Sequence, residues 1–201
     1  IPFEEVMLRF DAFSPDSAFK RRLAGLSPAG RVPVLLDDGF AVWDTLAIAE
    51  YLAERFPAKQ LWPADAKARA RARSVCAEMH SGFTSLRSHF PMNIEAKLPE
   101  IGAKALAEQA GVRTDLDRIV TMWTELLREH GGPLLFGEFS IADAYFAPVV
   151  MRLATYAPPL PEAITAYMAR VQALPGVAAW VKDALAEQDF LPFEEPYRTK
   201  R

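Results

Sequence analysis

The sequence predicts an α+β chain in two parts, a small mixed piece followed by an all-helical bundle. Three observations carry that expectation. Residues 32–43 hold two short apolar runs split by Asp37-Asp38-Gly39, the pattern of a hairpin. Residues 57–64, PAKQLWPA, are proline-bearing and aperiodic, as an inter-domain linker is. Beyond them the apolar residues recur at helical spacing, most clearly at Leu116, Ile119, Val120, Trp123, Leu126 and Leu127. The expected domains are therefore residues 1–57 and 65–201, joined by a linker at 58–64.

In order along the chain, Val6, Leu8 and Phe10 alternate with Met7 and Arg9, a short strand pattern. Ser14-Pro15-Asp16 reads as a helix start, and a helix over 16–24 stops at Gly25. Val32–Leu36 is strand-like, and Phe40–Trp43 returns as its partner across the turn. Asp44 caps a helix whose apolar face runs through Leu46, Ile48, Ala49, Tyr51, Leu52 and Phe56, and Pro57 ends it. In the bundle, Asp65 opens a helix reaching about His89, and Thr114 opens another that Gly131-Gly132-Pro133 closes. Ser140 opens a helix over 141–155, two more follow near 161–173 and 176–187, and the tail after Gln188 is irregular. The first part is too short to bury a good core alone.

Composition narrows the function. Of 201 residues, 51% are apolar and 24% charged, which is ample for a core. A net charge of −3 gives no general attraction to nucleic acid or anionic membrane. No stretch approaches the roughly 18 apolar residues of a membrane span, and no signal peptide is visible. One cysteine, Cys76, excludes an internal disulfide and fits a reducing compartment. On a bundle helix its expected role is a small buried apolar residue. His80 and His89 are nine apart, which is no metal spacing, so no metal is expected. Lys67, Arg69, Arg71 and Arg73 recur at a spacing of two, fan around a helix, and are expected to form a solvated surface.

Two features of residues 27–52, SPAGRVPVLLDDGFAVWDTLAIAEYL, carry chemistry. Pro33 sits at a strand start, where it is tolerated if its missing N–H is not needed for pairing. If the Val32–Pro33 bond is cis, Val32 offers free main-chain groups to a peptide-like ligand, as an added strand would use them. Asp44-Thr45 stands at a helix N-terminus, where unpaired N–H groups and the dipole favour a carboxylate. Together they describe a receptor for a short extended peptide. Each also has a plain structural reading, a strand edge and a helix cap.

S-P-A-G-R-V-P-V-L followed by W-D-T-L-A-I-A-E-Y-L resembles the cytosolic glutathione transferase family. The resemblance implies a thioredoxin-like N-terminal domain with Pro33 cis, whose first strand and helix, with the thiol-activating hydroxyl or Cys, are expected upstream of Ile1. It implies main-chain pairing of the glutathione cysteinyl unit with Val32 and the γ-glutamyl group on Asp44 and Thr45. Arg31 matches a position that often touches the tripeptide and could meet the glycyl carboxylate; Lys20, Arg21 and Arg22 compete for that role. Phe139-Ser140-Ile141-Ala142-Asp143 is similar to the family's capping box, a folding signal. Glu78-Met79-His80-Ser81-Gly82-Phe83, midway along the first expected bundle helix, resembles the E-L-H-K-G-F of bacterial beta-class members. By that likeness Glu78, His80 and Ser81 border the active-site cleft, with Ser81 standing where the family has Lys; a buried core histidine is the competing reading of His80. Arg73 falls in a region that faces the dimer partner's glutathione in the family. Trp43, Met79 and Phe83 either wall an apolar co-substrate pocket or pack in the core.

The resemblance thus implies a cytoplasmic homodimer with glutathione as co-substrate, without a metal, that activates the glutathione thiol to attack small electrophiles. The alternatives are a glutathione-dependent isomerase, a non-catalytic glutathione carrier, and a partner-binding domain that keeps only the fold.

Overall fold

A computed structural model describes residues 1–12 and 14–200. The chain divides into two compact units, Ile1–Lys59 and Gln60–Arg201.

The first unit contains helix α1 (Ala18–Ala24), strands β1 (Val34–Asp37) and β2 (Phe40–Trp43), and helix α2 (Thr45–Arg55), then a 3-10 turn at Pro57–Lys59. Its sheet is a two-stranded antiparallel hairpin in the register Val34↔Trp43, Leu35↔Val42, Leu36↔Ala41 and Asp37↔Phe40. Asp38 and Gly39 both take positive φ, 49° and 84°, as a tight two-residue hairpin loop requires. Residues 6–10, expected as a strand, form none, because a strand needs a ladder partner and the described residues supply none. The first helix starts later than expected. Ser17, not Ser14, is its N-cap, accepting the Lys20 amide at 3.1 Å, while the Ser14 carbonyl accepts the Ser17 amide in a preceding turn. Phe19 and Leu23, one turn apart, are its buried face.

α2 is fastened back along the hairpin. The Tyr51 hydroxyl donates to Asp37 Oδ2 at 2.6 Å, Arg55 reaches the same oxygen at 3.4 Å, and the Tyr51 ring lies 6.2 Å from that of Phe40. The Tyr51 hydrogen bond holds the Asp37 carboxyl below its ordinary pKa and raises that of the phenol.

Among the described residues the regular elements of the second unit are helices, with isolated bridges at 134–138: α3 (Ala66–Ser81), α4 (Thr84–His89), α5 (Pro99–Glu108), α6 (Ala110–Glu129), α7 (Ile141–Tyr156), α8 (Glu162–Ala173) and α9 (Pro175–Glu187). Asp65 caps α3 as expected, accepting the Lys67 and Ala68 amides. The basic stretch that follows is not only a solvated surface. Arg69 donates to the Pro63 and Ala64 carbonyls, and the Arg73 guanidinium lies 5.7 Å from the centre of the buried Trp62 ring.

The single helix expected from Asp65 to His89 is two. Gly82 closes α3, its amide donating to the Glu78 carbonyl at 2.8 Å, and Phe83 turns left-handed at φ 55° before α4 starts. Any Cβ on Gly82 would lie 2.6 Å from the Glu78 oxygen, so the break depends on glycine there. α5 was not foreseen, and α6 begins at Ala110 rather than Thr114. Gln109 is extended between them, and Arg113 donates to the terminal α5 carbonyls of Leu106 and Ala107.

α7 forms the centre of the core. The capping box is present: the Ser140 hydroxyl accepts the Ala142 amide at 3.3 Å, and Asp143 Oδ2 accepts the Ser140 amide at 2.9 Å. The fully buried Asp143 also accepts the Leu135 amide and the Tyr167 hydroxyl, and burial pushes its pKa up. Trp123 of α6 meets Phe146 and Tyr167 edge-on at 5.4 and 4.9 Å. The irregular tail after Gln188 is pinned down: Tyr197 donates to the His89 carbonyl, and Arg198 pairs with Glu195 and Glu95.

Candidate functional site

In the first unit, local backbone rules bring the expected tripeptide-binding residues together. Ser27 ends the segment after α1, its amide donating to the Leu23 carbonyl and its hydroxyl accepting the Ala29 amide at 3.2 Å. Gly30 closes the turn at φ 56°, a conformation that favours glycine, and Lys20 Nζ donates to its carbonyl at 2.9 Å. The chain emerges from this turn at Arg31 and Val32. The Val32–Pro33 peptide bond is cis. Val32 is 57% exposed, and no described residue pairs with its amide or carbonyl.

The hairpin register then supplies the second half. Val34 faces Trp43, so Pro33 and Asp44 each stand one residue beyond the same paired end of the hairpin. Across an antiparallel pair the strands are about 5 Å apart, so the loop at Val32 and the α2 N-terminus are neighbours. Asp44 is the N-cap, its Oδ1 accepting the Leu46 amide at 2.9 Å. Its backbone takes φ 69° and ψ 128°, a region costly for a non-glycine residue. Thr45 opens the helix at N1 and is half-buried. This end of the hairpin combines unpaired main-chain groups, the amides of a helix N-terminus, and a short acidic and hydroxyl pair. Such an arrangement accepts an extended peptide strand with a carboxylate at one end.

Among the basic residues, Lys20 is engaged with Gly30, and Arg21 donates to the Asp16 carbonyl at 2.5 Å. Arg31 is exposed and has no hydrogen-bond or ion-pair partner among the described residues.

In the second unit, Glu78, His80 and Ser81 occupy the last turn of α3, at the helix break rather than mid-helix. His80 is exposed, which removes the core-histidine reading. Ser81 is exposed too, its hydroxyl donating to the Ala77 carbonyl at 2.9 Å. Glu78 is committed to Arg118 of α6 by two hydrogen bonds of 2.6 and 2.8 Å. Phe83 is buried and Trp43 is 41% exposed, so the first packs as core and the second is available to a ligand. Cys76 is fully buried. Arg118 lies forty residues from Glu78, and no local pattern marks the pair. Among the described residues, no group of three or more His, Cys, Asp or Glu could hold a metal ion, and no helix is long and apolar enough to cross a membrane.

Residues 1–55 match the glutathione S-transferase N-terminal domain, and residues 66–183 match the glutathione S-transferase C-terminal domain. The chain belongs to the glutathione S-transferase family. Among solved structures, this transferase-family chain is similar to a glutathione transferase homolog from Burkholderia with bound glutathione. The two are 30% identical with a TM-score of 0.59, and the match covers 81% of this chain and 77% of that one. It is also 30% identical over 132 residues to a probable maleylacetoacetate isomerase of Caenorhabditis elegans, covering 65% of this chain and 59% of the relative. A stringent starvation protein A homolog of Pasteurella multocida is 29% identical over 154 residues, 74% of this chain and 66% of the relative. The match thus spans between three fifths and two thirds of the length of these curated relatives.

Proposed function

We propose that this chain works as a glutathione transferase, holding the tripeptide so that its sulfur, as the thiolate, attacks an electrophilic carbon. The observation that carries the reading is the paired end of the hairpin. There Val32 leaves its main-chain groups unpaired, one residue-pair away from the N-terminus of α2. The cysteinyl unit of glutathione adds to Val32 as a short strand. The γ-glutamyl carboxylate takes the α2 amides and the Thr45 hydroxyl, and the Asp44 carboxylate meets the γ-glutamyl amine. Arg31, next to Val32, is assigned to the glycyl carboxylate; Lys20 and Arg21 are engaged with main-chain carbonyls, and Arg22, exposed like Arg31, is the alternative. His80 and Ser81 lie exposed on the last turn of α3 in the second unit.

A donor near a thiol sulfur stabilises the thiolate, the nucleophilic form, and so raises its fraction at neutral pH. The sulfur lone pair forms the new sulfur–carbon bond as the leaving group departs with its own electron pair, or, at a carbonyl-activated double bond, as the π pair shifts onto the adjacent carbon and the carbonyl oxygen. The second course supports a glutathione-dependent isomerisation as well: addition, rotation about the resulting single bond, and elimination that returns the thiol. The 30% identity to a probable maleylacetoacetate isomerase favours keeping that reading. A cytoplasmic homodimer acting in detoxification belongs to the same proposal.

Retention on glutathione-agarose, weakened at least tenfold in affinity by Thr45→Ala, tests the binding site. Turnover of a halodinitrobenzene separates transferase from carrier, and a cis-enone substrate returned as its trans isomer identifies the isomerase. A wild-type chain that passes through glutathione-agarose unretained overturns the reading.

A further inference from the structure

The unpaired main chain at Val32 is anchored on both sides within the first unit. Downstream the anchor is the hairpin, where Val34 pairs with Trp43. Upstream it is the turn at 27–30, which has no ladder to fix it. The buried Ser27 accepts the Ala29 amide on its hydroxyl and the Gly30 amide on its carbonyl, each at 3.2 Å. Those bonds hold the turn as far as the Gly30 nitrogen. Beyond it, ψ of Gly30 sets the direction in which the chain leaves. A glycine restricts that angle little, and no close packing surrounds this one: a Cβ built there would meet no atom within 4 Å. A hydrogen bond supplies the restraint instead. Lys20 Nζ donates to the Gly30 carbonyl at 2.9 Å, and among the described residues that carbonyl has no other partner. Because a peptide group is planar, holding the oxygen also holds the plane that runs to the Arg31 nitrogen. Lys20 is itself placed by α1. Its amide is bonded to the Ser17 cap, its neighbour Phe19 is buried, and its ammonium lies 5.9 Å from the centre of the Phe19 ring.

We propose that Lys20 is a positioning residue for the glutathione site: by holding the Gly30 carbonyl it fixes the peptide plane that leads into Arg31 and Val32, and so presents the Val32 main chain to the cysteinyl unit. The inference rests on the reading of Val32 as the partner of that unit. Lys20 acts through Gly30 and touches no atom of the tripeptide. The rival role for a cation beside this loop is direct contact with the glycyl carboxylate, and the bond to Gly30 commits Lys20 to the backbone instead. Arginine at this position keeps a charged donor on a long stem. Methionine keeps most of the stem and loses both donor and charge.

Calorimetric titration with two ligands separates the two roles. One is glutathione; the other is its glycinamide, in which an uncharged amide replaces the glycyl carboxylate. Lys20→Met should weaken both by the same factor, about tenfold, the worth of one charge-assisted hydrogen bond. The factor is shared because both ligands use the Val32 main chain. Lys20→Arg should recover most of the loss for both. In the methionine variant the backbone NMR order parameters of Arg31 and Val32 should fall toward the flexible range, below about 0.6, while those of Leu35 and Val42 in the hairpin hold. A loss confined to glutathione, with the glycinamide bound as by the wild type, would overturn the proposal and give Lys20 to the glycyl carboxylate. Unchanged affinity for both ligands would overturn it too, as would an equal loss with unchanged order parameters. A wild-type chain that binds neither ligand would sink the glutathione reading itself, and the order parameters alone would then decide whether Lys20 holds this loop. Lys20→Gln, whose shorter stem withdraws the donor, serves as the variant if Lys20→Met fails to fold.

Discussion

The two units of this chain hold their shape by different means. In the second, α7 buries eleven of its sixteen residues, and α6 buries Val112, Leu116, Ile119, Met122, Trp123 and Leu126 as one face. In the first, α2 buries none of its residues fully, and α1 buries only Phe19 and Leu23. Phe40 and Leu36 of the hairpin are 63% and 51% exposed. The bundle is therefore specified by long-range packing. The hairpin is specified by short-range backbone rules: the Gly30 turn, the Asp38-Gly39 loop, and the Asp44 cap with its positive φ. A ligand site made of main-chain groups needs those groups left unpaired, which is the opposite of what packing achieves.

The largest effect should come from the bundle core. Trp123 is fully buried against Phe146 and Tyr167, so Trp123→Ala should cost about 3–5 kcal/mol, read from urea unfolding followed by far-ultraviolet circular dichroism. Its indole N–H has no partner among the described residues, so Trp123→Phe should cost clearly less. A loss under about 1 kcal/mol for the alanine variant would break the contrast, because it would mean that the second unit does not depend on its packed core.

Much of the fold could be seen in the sequence wherever a signal is local. The hairpin, the Asp44, Asp65 and Ser140 caps and the α6 face were all legible, because each is written within a few residues. The turn before Pro33 and the Asp44 cap, on which the proposed site rests, were legible for the same reason. The α3–α4 break was not. Gly82 alone looks like a tolerated helical glycine, and the side chains bonded on either side of the break, Asp115 to the Leu86 amide and Arg118 to Glu78, are some thirty to forty residues away. α5, with Gly102 in its middle, was not expected from the sequence. In the structure Gly102 is a contact residue, since a Cβ there would strike the Tyr156 carbonyl of α7. The strand expected at 6–10 failed on the converse ground, since alternation predicts a strand only where a partner edge exists to pair with it.

A middle-sized effect tests whether the first unit follows backbone rules. Asp44 both caps α2 and takes a φ of 69°. Asp44→Ala loses the cap and keeps the unfavourable backbone, and should cost about 1 kcal/mol; Asp44→Gly loses the cap but relieves the backbone, and should cost only a few tenths. Thermal unfolding of the two variants side by side gives the ordering, and both should lose glutathione affinity. Equal losses of stability would show that packing around the α2 N-terminus, not local conformation, fixes it.

The smallest effect concerns the fastening of α2 to the hairpin, and it depends on pH. The Tyr51 hydroxyl is the main cause of the lowered Asp37 pKa, with Arg55 adding to it. A carboxyl whose folded pKa is depressed binds fewer protons folded than unfolded through the interval between the two values. Its stabilisation is therefore fully present above the unfolded-state pKa and is lost as pH falls through the folded-state one. Tyr51→Phe removes the largest cause and leaves the ring contact with Phe40. The variant should thus lose a little stability at neutral pH and show a shallower decline in acid than the wild type, read from urea midpoints across the acidic range. Both partners are solvent-accessible, so the difference should be modest and should survive added salt, because it arises from a hydrogen bond rather than from the screened Arg55 charge. Identical acid slopes in the two proteins would mean that α2 is held to the hairpin by apolar contact after all, and the contrast between the units would then be one of degree.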